Sequence, residues 1–420
     1  MTTDPTPGRA ARATLVLIGL SLWIGRGVDV GPFDLQPVQL TVLFAVLIVV
    51  AVAVHTRSLP LAWLRRTPTA FLAAITLALT AIVAAAALSG VEATDPLSVV
   101  RFIARYVIGL ALIVAVLQLV RRPANARALE AALLLGAWLS VAVSAVAHAF
   151  PTLAEIAIRY GDRAQALLNH PNQFAMLLSS VAPVAFARAL REPRRIGPWV
   201  TLLVVGAGVA MTGSKVNIVL VAALLPAMAL LAAQLRAGAL QRMGATAALT
   251  LASLAVAAVA VWVVQTTNPR TLITIGRLFT DPAGTSAVVT RTQTWQLAIE
   301  RGLERPWFGV GADHATYFLP YSHAHNVFAE FFLTLGATGL IALAFLLTAL
   351  AALCAQALLT ALTRPALATE DRLSLIAYPF AILAFVAASQ SSDSFGGTTL
   401  PVLWIMTALT LAQIDRCSRA

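Results

Sequence analysis

The sequence TAFLAAITLALTAIVAAAALS (residues 69–89) contains no charged side chain. A stretch of about 20 apolar residues is the length that an α-helix needs to cross the hydrocarbon core of a membrane. Similar stretches recur along the chain of 420 residues, which is 59% hydrophobic and only 11% charged. A soluble domain carries about 25% charged residues. These features predict an all-α polytopic membrane protein.

The apolar segments predict about twelve transmembrane helices in one domain that covers residues 1–420. The first segment follows Arg9 and Arg12. It is interpreted as a retained helix, because no small-x-small cleavage motif follows it and further spans do. The predicted spans are 13–30, 38–55, 69–89, 102–120, 128–149, 173–190, 197–213, 215–235, 245–265, 337–362, 373–389 and 398–414.

The distribution of arginine predicts which side of the membrane each loop occupies. With the N-terminus in the cytoplasm, most of the 29 Lys and Arg residues fall in short cytoplasmic segments such as 57–66, 121–127 and 188–195. Positively charged loops are retained in the cytoplasm, so both termini are predicted to lie there. This topology also accounts for the net charge of +11 without a nucleic-acid partner.

Two long segments, 150–172 and 266–324, are predicted on the outer side of the membrane. A connection as long as the second is usually functional or locally structured. Within it, RTQTWQLAIERGLE (291–304) predicts a helix that ends before Pro306, and WFGVGAD (307–313) predicts a glycine turn.

The segment that follows is too long for one span. A single helix over residues 325–362 would measure about 57 Å, whereas the hydrocarbon core is about 30 Å thick. We therefore predict a break near Gly336 and Gly339, with the first part at the membrane surface and the second part crossing it.

Several basic residues fall on the outer side, where the charge rule disfavours them. An anionic ligand would explain Arg163, Lys215 and Arg291, because guanidinium and ammonium groups bind phosphate. Lys215 follows Gly213 and Ser214, a turn whose backbone N–H groups could face an anion. The alternatives are a loop ion pair or a lipid headgroup for each arginine and a solvated turn cation for Lys215.

His325 lies just before an apolar helix, and an imidazole there could act as a general base near neutral pH. The alternative is an interfacial histidine bonded to backbone or headgroups. His323 and His325 form an HxH pair, but no third ligand fits, so no metal site is predicted. Cys354 and Cys417 have no zinc or disulfide spacing. No metal or other cofactor is expected.

The sequence resembles the O-antigen ligase and polymerase superfamily of the Wzy_C type. Four blocks carry the resemblance and occur in family order over roughly residues 160–345. Lys215 is a departure, because the family commonly has arginine there, and a lysine lacks the bidentate fork. The blocks are GDRAQALLNHPNQFA (161–175), TGSK (212–215), RTQTWQLAIERGLERPWFGVGAD (291–313), and His325-Asn326 followed after nine residues by Gly336-x-x-Gly339.

The resemblance implies an inverting, metal-independent glycosyltransferase of a bacterial inner membrane, with its active site in the periplasm. The donor would be a glycan on undecaprenyl diphosphate, and the acceptor lipid A–core or a growing glycan. Membrane lipids are further partners, and nucleic acid is not. The implied site comprises His325 and Arg291 as catalytic residues, Arg163, Lys215 and Arg291 on the diphosphate, and Asn326, Asn169, Asn172 and His323 as secondary contacts.

Within the superfamily, ligation of O-antigen to lipid A–core is the favoured reaction. A polymerase of O-antigen or exopolysaccharide is the alternative, and a protein glycosyltransferase is less favoured. A secondary transporter or flippase would also bind an anion through outer cations, but it would carry charged residues in mid-span. The predicted spans have few charged residues in their interiors, which favours an enzyme with a site on one side.

Overall fold

The computed structural model describes most of the chain as helix. The described residues are 8–25, 28–30, 33–56, 61, 64–147, 149–159, 163–235, 239–267, 269–281, 285–321, 323–391, 395 and 399–419. The helices are α1 (Gly8–Ser21), α2 (Pro37–Thr56), α3 (Arg66–Ser89), α4 (Pro96–Leu119), α5 (Pro123–Ala147), α6 (Pro151–Ala157), α7 (Pro171–Arg191), α8 (Ile196–Met211), α9 (Lys215–Ala233), α10 (Ala239–Thr267), α11 (Pro269–Thr280), α12 (Ser286–Leu303), α13 (Ala315–Phe318), α14 (Val327–Thr363), α15 (Thr369–Ala388) and α16 (Leu400–Arg419).

Two short antiparallel pairs of strands complete the described structure. Strand β1 (Val28–Val30) pairs with β2 (Phe33–Leu35), and β3 (Ile158–Arg159) pairs with β4 (Arg163–Ala164). The second pair lies in the segment before α7 and brings Arg159 opposite Arg163.

The prediction of an all-α polytopic membrane protein is confirmed. Among the described residues, seven helices are long and apolar enough to cross a membrane: α3, α4, α5, α7, α9, α14 and α15. The other five predicted spans also coincide with helices, namely α1, α2, α8, α10 and α16.

The first predicted span, 13–30, is wrong in its second half. Helix α1 ends at Ser21, and residues 28–30 form a strand. The amide of Trp23 donates to the carbonyl of Leu20, an i to i−3 bond that tightens and closes the last turn. Three glycines and two charged residues in the sequence GRGVDVG (25–31) oppose continuation of an apolar helix.

Helices α7 and α15 lie at the centre of the bundle. In the most apolar windows of these helices, 83% of the residues of α7 and 78% of those of α15 are buried, compared with 33% for α3. Helix α7 packs against α8, α9 and α15, while α14 packs against α3 and α15. The first and last turns of α7 are therefore fixed by several neighbours, and its first turn carries part of the candidate site.

The predicted break in the last long apolar helix is confirmed at Gly336, where φ is +65° and ψ is −159°. A kink at this point deprives four backbone groups of their helical partners. The carbonyls of Leu333 and Thr334 instead accept hydrogen bonds from Val310 and Gly311, at 2.9 and 3.1 Å. The amides of residues 337 and 338 donate to the carbonyls of residues 306 and 307, at 2.8 and 3.2 Å. The glycine turn therefore replaces the bonds that the kink removes.

Gly309 and Gly336 allow the turn and the kink to hydrogen-bond to each other, because the backbone of each glycine lies directly against the opposite segment. A Cβ atom on Gly336 would lie 2.4 Å from the carbonyl carbon of Trp307, and one on Gly309 would lie 2.4 Å from that of Thr334. Neither position has room for a side chain. The predicted glycine turn is thus confirmed, and it joins the outer segment to α14.

The C-terminal end of α7 carries charges that are paired inside the protein. Arg191 donates to the Glu130 carboxylate at 2.7 Å and to the Ser374 hydroxyl at 2.6 Å. The hydroxyl of Tyr378 also donates to Glu130. Both members of the Arg191–Glu130 ion pair are largely buried. This network joins α5, α7 and α15 at the end of the bundle away from the first turn of α7.

Candidate active site

Five segments meet at the end of the bundle where α7, α9 and α14 begin. They are strand β4, the first turn of α7, the turn between α8 and α9, helix α12, and the loop before α14. Helix N-termini carry the positive end of the backbone dipole. The side chains that these segments bring together are cationic or titratable, so the arrangement favours an anion.

Arg163 is held in place by two acceptors from different elements. Its Nε donates to the backbone oxygen of Thr212 at 2.7 Å, and one terminal nitrogen donates to the side-chain oxygen of Asn172 at 2.8 Å. Thr212 is the C-cap residue of α8, so this bond also satisfies a carbonyl at the end of that helix. Arg163 therefore ties β4 to α7 and α8.

The turn before α9 differs from the expected anion cradle. Gly213 has φ +61°, as a tight turn requires. However, its amide donates to the carbonyl of Ala210 at 3.0 Å, and the amide of Ser214 donates to the hydroxyl of Thr212 at 3.1 Å. The two amides that were predicted to face an anion are therefore used within the turn. The first-turn amides of α9, which no side chain caps, are the available donors.

Lys215 and Arg291 are distant in sequence, but in the fold the charge of Arg291 acts on Lys215. Lys215 is the first residue of α9, and the charges that act on it are those of Arg163 and Arg291. Arg291 lies in α12 and is half-buried, and burial lowers its pKa. In the described part of the chain, the side chains of Lys215 and Arg291 make no hydrogen bond or ion pair. The positive charges of Arg163 and Arg291 thus both act on Lys215.

His325 occupies a strained backbone position beside this cluster. Its φ is +56°, a region that few residues other than glycine adopt. The side chain is half-buried, and its Nδ1 is buried without a hydrogen-bond partner among the described residues. Burial lowers the pKa of His325 to about 3, and the charges of His323, Arg291 and His170 act in the same direction. The imidazole is therefore neutral at physiological pH.

His170 and His323 complete a group of three imidazoles with His325. The rings of His323 and His325 are 4.1 Å apart between centroids. His170 is the N-cap of α7, where its Nδ1 accepts from the amide of Asn172 at 3.0 Å. Burial lowers the pKa of His170 to about 4, with Arg163 and His323 adding to the effect. Within the described residues, no group of three or more His, Cys, Asp or Glu side chains could hold a metal ion.

The three predicted asparagines have structural partners in this conformation. The side-chain oxygen of Asn326 accepts from the amides of Phe328 and Ala329, at 2.9 and 3.1 Å, and so caps α14. Asn169 donates to the carbonyl of Gly25 at 3.0 Å. Asn172 accepts from Arg163. These bonds fix the segments that carry Arg163, His170 and His325.

Residues 200–344 match the family model of O-antigen ligases. The match confirms the resemblance to this family and covers three of the four sequence blocks, those at 212–215, 291–313 and 325–339. It includes Lys215, Arg291 and His325, and it ends shortly after the kink at Gly336. No curated protein matches the chain.

The segment that matches the family model and the region before it contain site residues that sequence reasoning did not select. His170 lies in the quoted NHPN sequence, and its position directly before Pro171 predicts an N-cap. Arg159 lies opposite Arg163 across the β3–β4 pair and acts electrostatically on His170. Two like charges opposite each other are unfavourable, and only the strand pairing could have identified them.

His314 was also missed, and it fixes the glycine turn (307–313). It is fully buried, and its Nε2 accepts from the backbone amide of Asp95 at 2.8 Å. Its Nδ1 lies 2.7 Å from the carbonyl of Ala312 and therefore donates to it. Arg105 of α4 forms an ion pair with Asp313. These contacts attach the turn to the start of α4.

Proposed function

We propose that the chain is an O-antigen ligase. It would transfer polysaccharide from undecaprenyl diphosphate to lipid A–core at the outer face of the bacterial inner membrane. The observation that carries this proposal is that the charges of Arg163 and Arg291 both act on Lys215, while Arg291 also acts on the neutral His325. A diphosphate would place negative charge beside this group of cations.

The three cations would bind the diphosphate and stabilise it as the leaving group. Negative charge grows on the diphosphate oxygen as the anomeric C–O bond breaks, and preorganised cations stabilise that charge. Arg163 is already oriented by Thr212 and Asn172. Arg291 and Lys215 make no competing bond among the described residues, so their donors are available to the ligand. The first-turn amides of α9 would add further donors.

His325 would act as the general base. The acceptor hydroxyl oxygen attacks the anomeric carbon from the face opposite the diphosphate, a new C–O bond forms, and the hydroxyl proton passes to a ring nitrogen of His325. Because its pKa is lowered to about 3 in the unloaded site, the imidazole is unprotonated before the donor binds. The bound diphosphate then places negative charge near the ring, which raises its pKa and favours protonation. No metal takes part in this scheme.

The outer segment 266–324 would cover the donor. Thr271 of α11 lies against the turn before α9, since a Cβ on Gly213 would lie 3.3 Å from its hydroxyl. Ala298, Leu319 and Leu333 belong to a separate small apolar cluster that joins α12 and the turn region to α14. This packing would exclude water, which would otherwise hydrolyse the donor.

The secondary residues would act mainly by positioning. Asn172 orients Arg163, Asn326 fixes the helix start after His325, and Asn169 ties the NHPN segment to Gly25. The ring of His323 packs on that of His325 and would restrict its orientation.

The test is a gene deletion followed by separate gels of lipopolysaccharide and of undecaprenyl-linked glycan. Full-length polymer on the lipid carrier with bare core at the surface is the expected result. Core capped by a single repeat unit would identify an O-antigen polymerase instead. An unchanged lipopolysaccharide pattern would exclude a role in O-antigen assembly and point to exopolysaccharide or protein glycosylation. Complementation with wild-type chain should restore the pattern, whereas Arg291→Ala should not. Purified protein treated with a chelator should keep its activity if the reaction is metal-independent.

A further inference from the structure

A groove opens between α5 and α8 at the end of the bundle opposite the candidate active site. Its volume is about 570 Å³, within the range of about 300–1,000 Å³ that is usual for small-molecule sites. Helix α7 separates the two places, because its first turn carries His170 and its last turn reaches the groove at Arg188. A helix of 21 residues is about 31 Å long, which is the thickness of the hydrocarbon core.

The walls of the groove are apolar and open to the outside. Leu134, Leu135 and Trp138 of α5 face Val200 of α8 across it, and Leu135 and Trp138 are 49% and 38% exposed. The indole nitrogen of Trp138 donates to the hydroxyl of Thr201 at 3.1 Å, which joins the two helices. Tryptophan at such a position is typical of the boundary between hydrocarbon and headgroups.

Gly197 leaves one side of the groove empty. Apart from the backbone of its own helix and its two chain neighbours, a Cβ atom placed on Gly197 would have no atom within 4 Å. The position therefore has space for a side chain without displacing the protein. This space is continuous with the apolar walls because Gly197 is one of the residues that line the groove.

The charged end of the groove carries an excess of one positive charge. Arg188, Glu192 and Arg195 line this end. Arg195 donates to Glu192 at 2.8 Å, so these two charges offset each other. Arg188 is half-buried, and its side chain makes no hydrogen bond or ion pair with the residues that the structure describes. Arg191, one turn away, faces inward and pairs with Glu130.

We propose that this groove is a binding site for an anionic phospholipid. The headgroup phosphate would contact Arg188, and an acyl chain would lie between α5 and α8 along Leu135 and Gly197. Charge complementarity favours an anionic lipid, because a zwitterionic headgroup would leave the excess positive charge uncompensated. The site would hold the C-terminal end of α7 against α8. It is independent of the function proposed for the opposite end.

The test is native mass spectrometry of the full chain in detergent, titrated separately with phosphatidylglycerol and phosphatidylcholine of the same acyl chains. The wild-type chain should bind the first phosphatidylglycerol about fivefold more tightly than phosphatidylcholine, as one surface cation near an anionic headgroup implies. Arg188→Gln should remove this preference. Gly197→Leu should fill the groove and weaken binding of both lipids.

Two matched variants control for loss of charge and for added bulk. Arg127→Gln removes an exposed cation that pairs with Glu370, and Gly244→Leu adds the same side chain where a Cβ also meets no atom within 4 Å. Both should bind lipid as the wild type does. Equal affinity of the wild type for the two lipids would overturn the proposal. So would an Arg188→Gln variant that keeps the preference, or a Gly197→Leu variant whose binding matches that of Gly244→Leu.

Discussion

Arg163 donates a 2.8 Å hydrogen bond to the side-chain oxygen of Asn172, nine residues later in the chain. A second bond, to the carbonyl of Thr212, uses its Nε. Arg291 makes no such bond among the described residues, although burial lowers its pKa. Two arginines expected to bind the same diphosphate therefore differ, because one also maintains the fold of the site and the other does not.

This difference predicts separate effects of the two substitutions. Arg291→Ala should weaken donor binding by about 10–100-fold, because a hydrogen bond to a charged group contributes about 1.5–3 kcal/mol, and should leave the Tm unchanged. Arg163→Ala should weaken binding and also lower the Tm, since it leaves Thr212 and Asn172 without their donor. Donor titration and thermal unfolding of the purified protein measure both effects. Equal losses of Tm in the two variants would contradict the distinction.

Substitutions at Lys215 test whether donor binding requires a positive charge at this position or the particular shape of the side chain. Lys215→Gln should reduce donor affinity at least tenfold, because it removes one of three neighbouring cations. Lys215→Arg should retain the wild-type affinity or exceed it, since a guanidinium can bind phosphate through two parallel bonds. Both variants are compared by the KM for the donor. If Lys215→Gln binds the donor as well as Lys215→Arg does, the residue is only a turn cation.

The base role of His325 predicts a loss of transfer with the fold intact. His325→Ala should reduce kcat by about 10²–10⁴-fold, the usual contribution of a general base. His325→Gly should be equally inactive but more stable than His325→Ala, because φ is +56° and glycine adopts this conformation without strain. Added imidazole should partly restore transfer in the glycine variant. Full transfer by either variant without imidazole would exclude His325 as the base.

The lowered pKa of His325 predicts how activity depends on pH. In the unloaded protein the imidazole stays neutral down to about pH 3, so kcat/KM should not fall between pH 7 and 5 on account of this group. The bound diphosphate raises the pKa, so the acidic limb of kcat should lie at higher pH than that of kcat/KM. A kcat/KM profile that falls with an apparent pKa near the free histidine value of about 6.5 would contradict this prediction.

The same pKa shift links folding to pH. Between about pH 6.5 and pH 3 the unfolded chain holds a proton on His325 that the folded chain does not. This group therefore lowers stability as the pH falls through that range and has no effect above it. His170, whose pKa is lowered to about 4, acts in the same direction. The Tm of the wild type should decrease from pH 7 to pH 5 more than that of a His325→Ala variant.

Hydropathy predicted the helices well because each span must satisfy its own backbone within the membrane. It failed at the end of α1, where local glycines and charges outweigh the apolar average. The kink at Gly336 was predictable, because a continuous helix would exceed the membrane thickness. Its exchange of hydrogen bonds with the turn at Gly309 was not, since that depends on the contact of two segments that are distant in sequence.

In the candidate site too, some features could be predicted from the sequence and others depend on tertiary contacts. Residue types and the resemblance to O-antigen ligases predicted the cations and His325 individually. Three other features depend on how the folded segments pack. They are the hydrogen-bond partners of Arg163, the bonds that the Gly213 and Ser214 amides make within their own turn, and the burial of His170. Sequence spacing carries no information about which acceptor a guanidinium will find. The structural role of His314 could not be predicted from the sequence either, because its partner is the backbone amide of Asp95, which is distant in sequence.

The close packing of the turn at Gly309 against the kink at Gly336 leads to a prediction about stability. Gly336 has φ +65° and ψ −159°, a region almost restricted to glycine that costs other residues about 1–3 kcal/mol. A Cβ there would lie 2.4 Å from the backbone of Trp307, so Gly336→Ala must also displace the turn and weaken the four exchanged hydrogen bonds. We expect a loss of at least about 2 kcal/mol in the free energy of unfolding, with reduced transfer because His325 and α12 depend on the same contact.

Gly276→Ala is the matched control, because a Cβ at that position in α11 meets nothing within 4 Å. It should unfold at the wild-type temperature or slightly above it, since alanine favours a helix. Gly309→Ala should resemble Gly336→Ala, because its Cβ would meet the backbone of Thr334 from the other side. In the double variant the second substitution should cost less than the first, since both disrupt one contact. If Gly336→Ala unfolds like Gly276→Ala, the turn does not support the kink, and the outer segment must be held to α14 by the small apolar cluster alone.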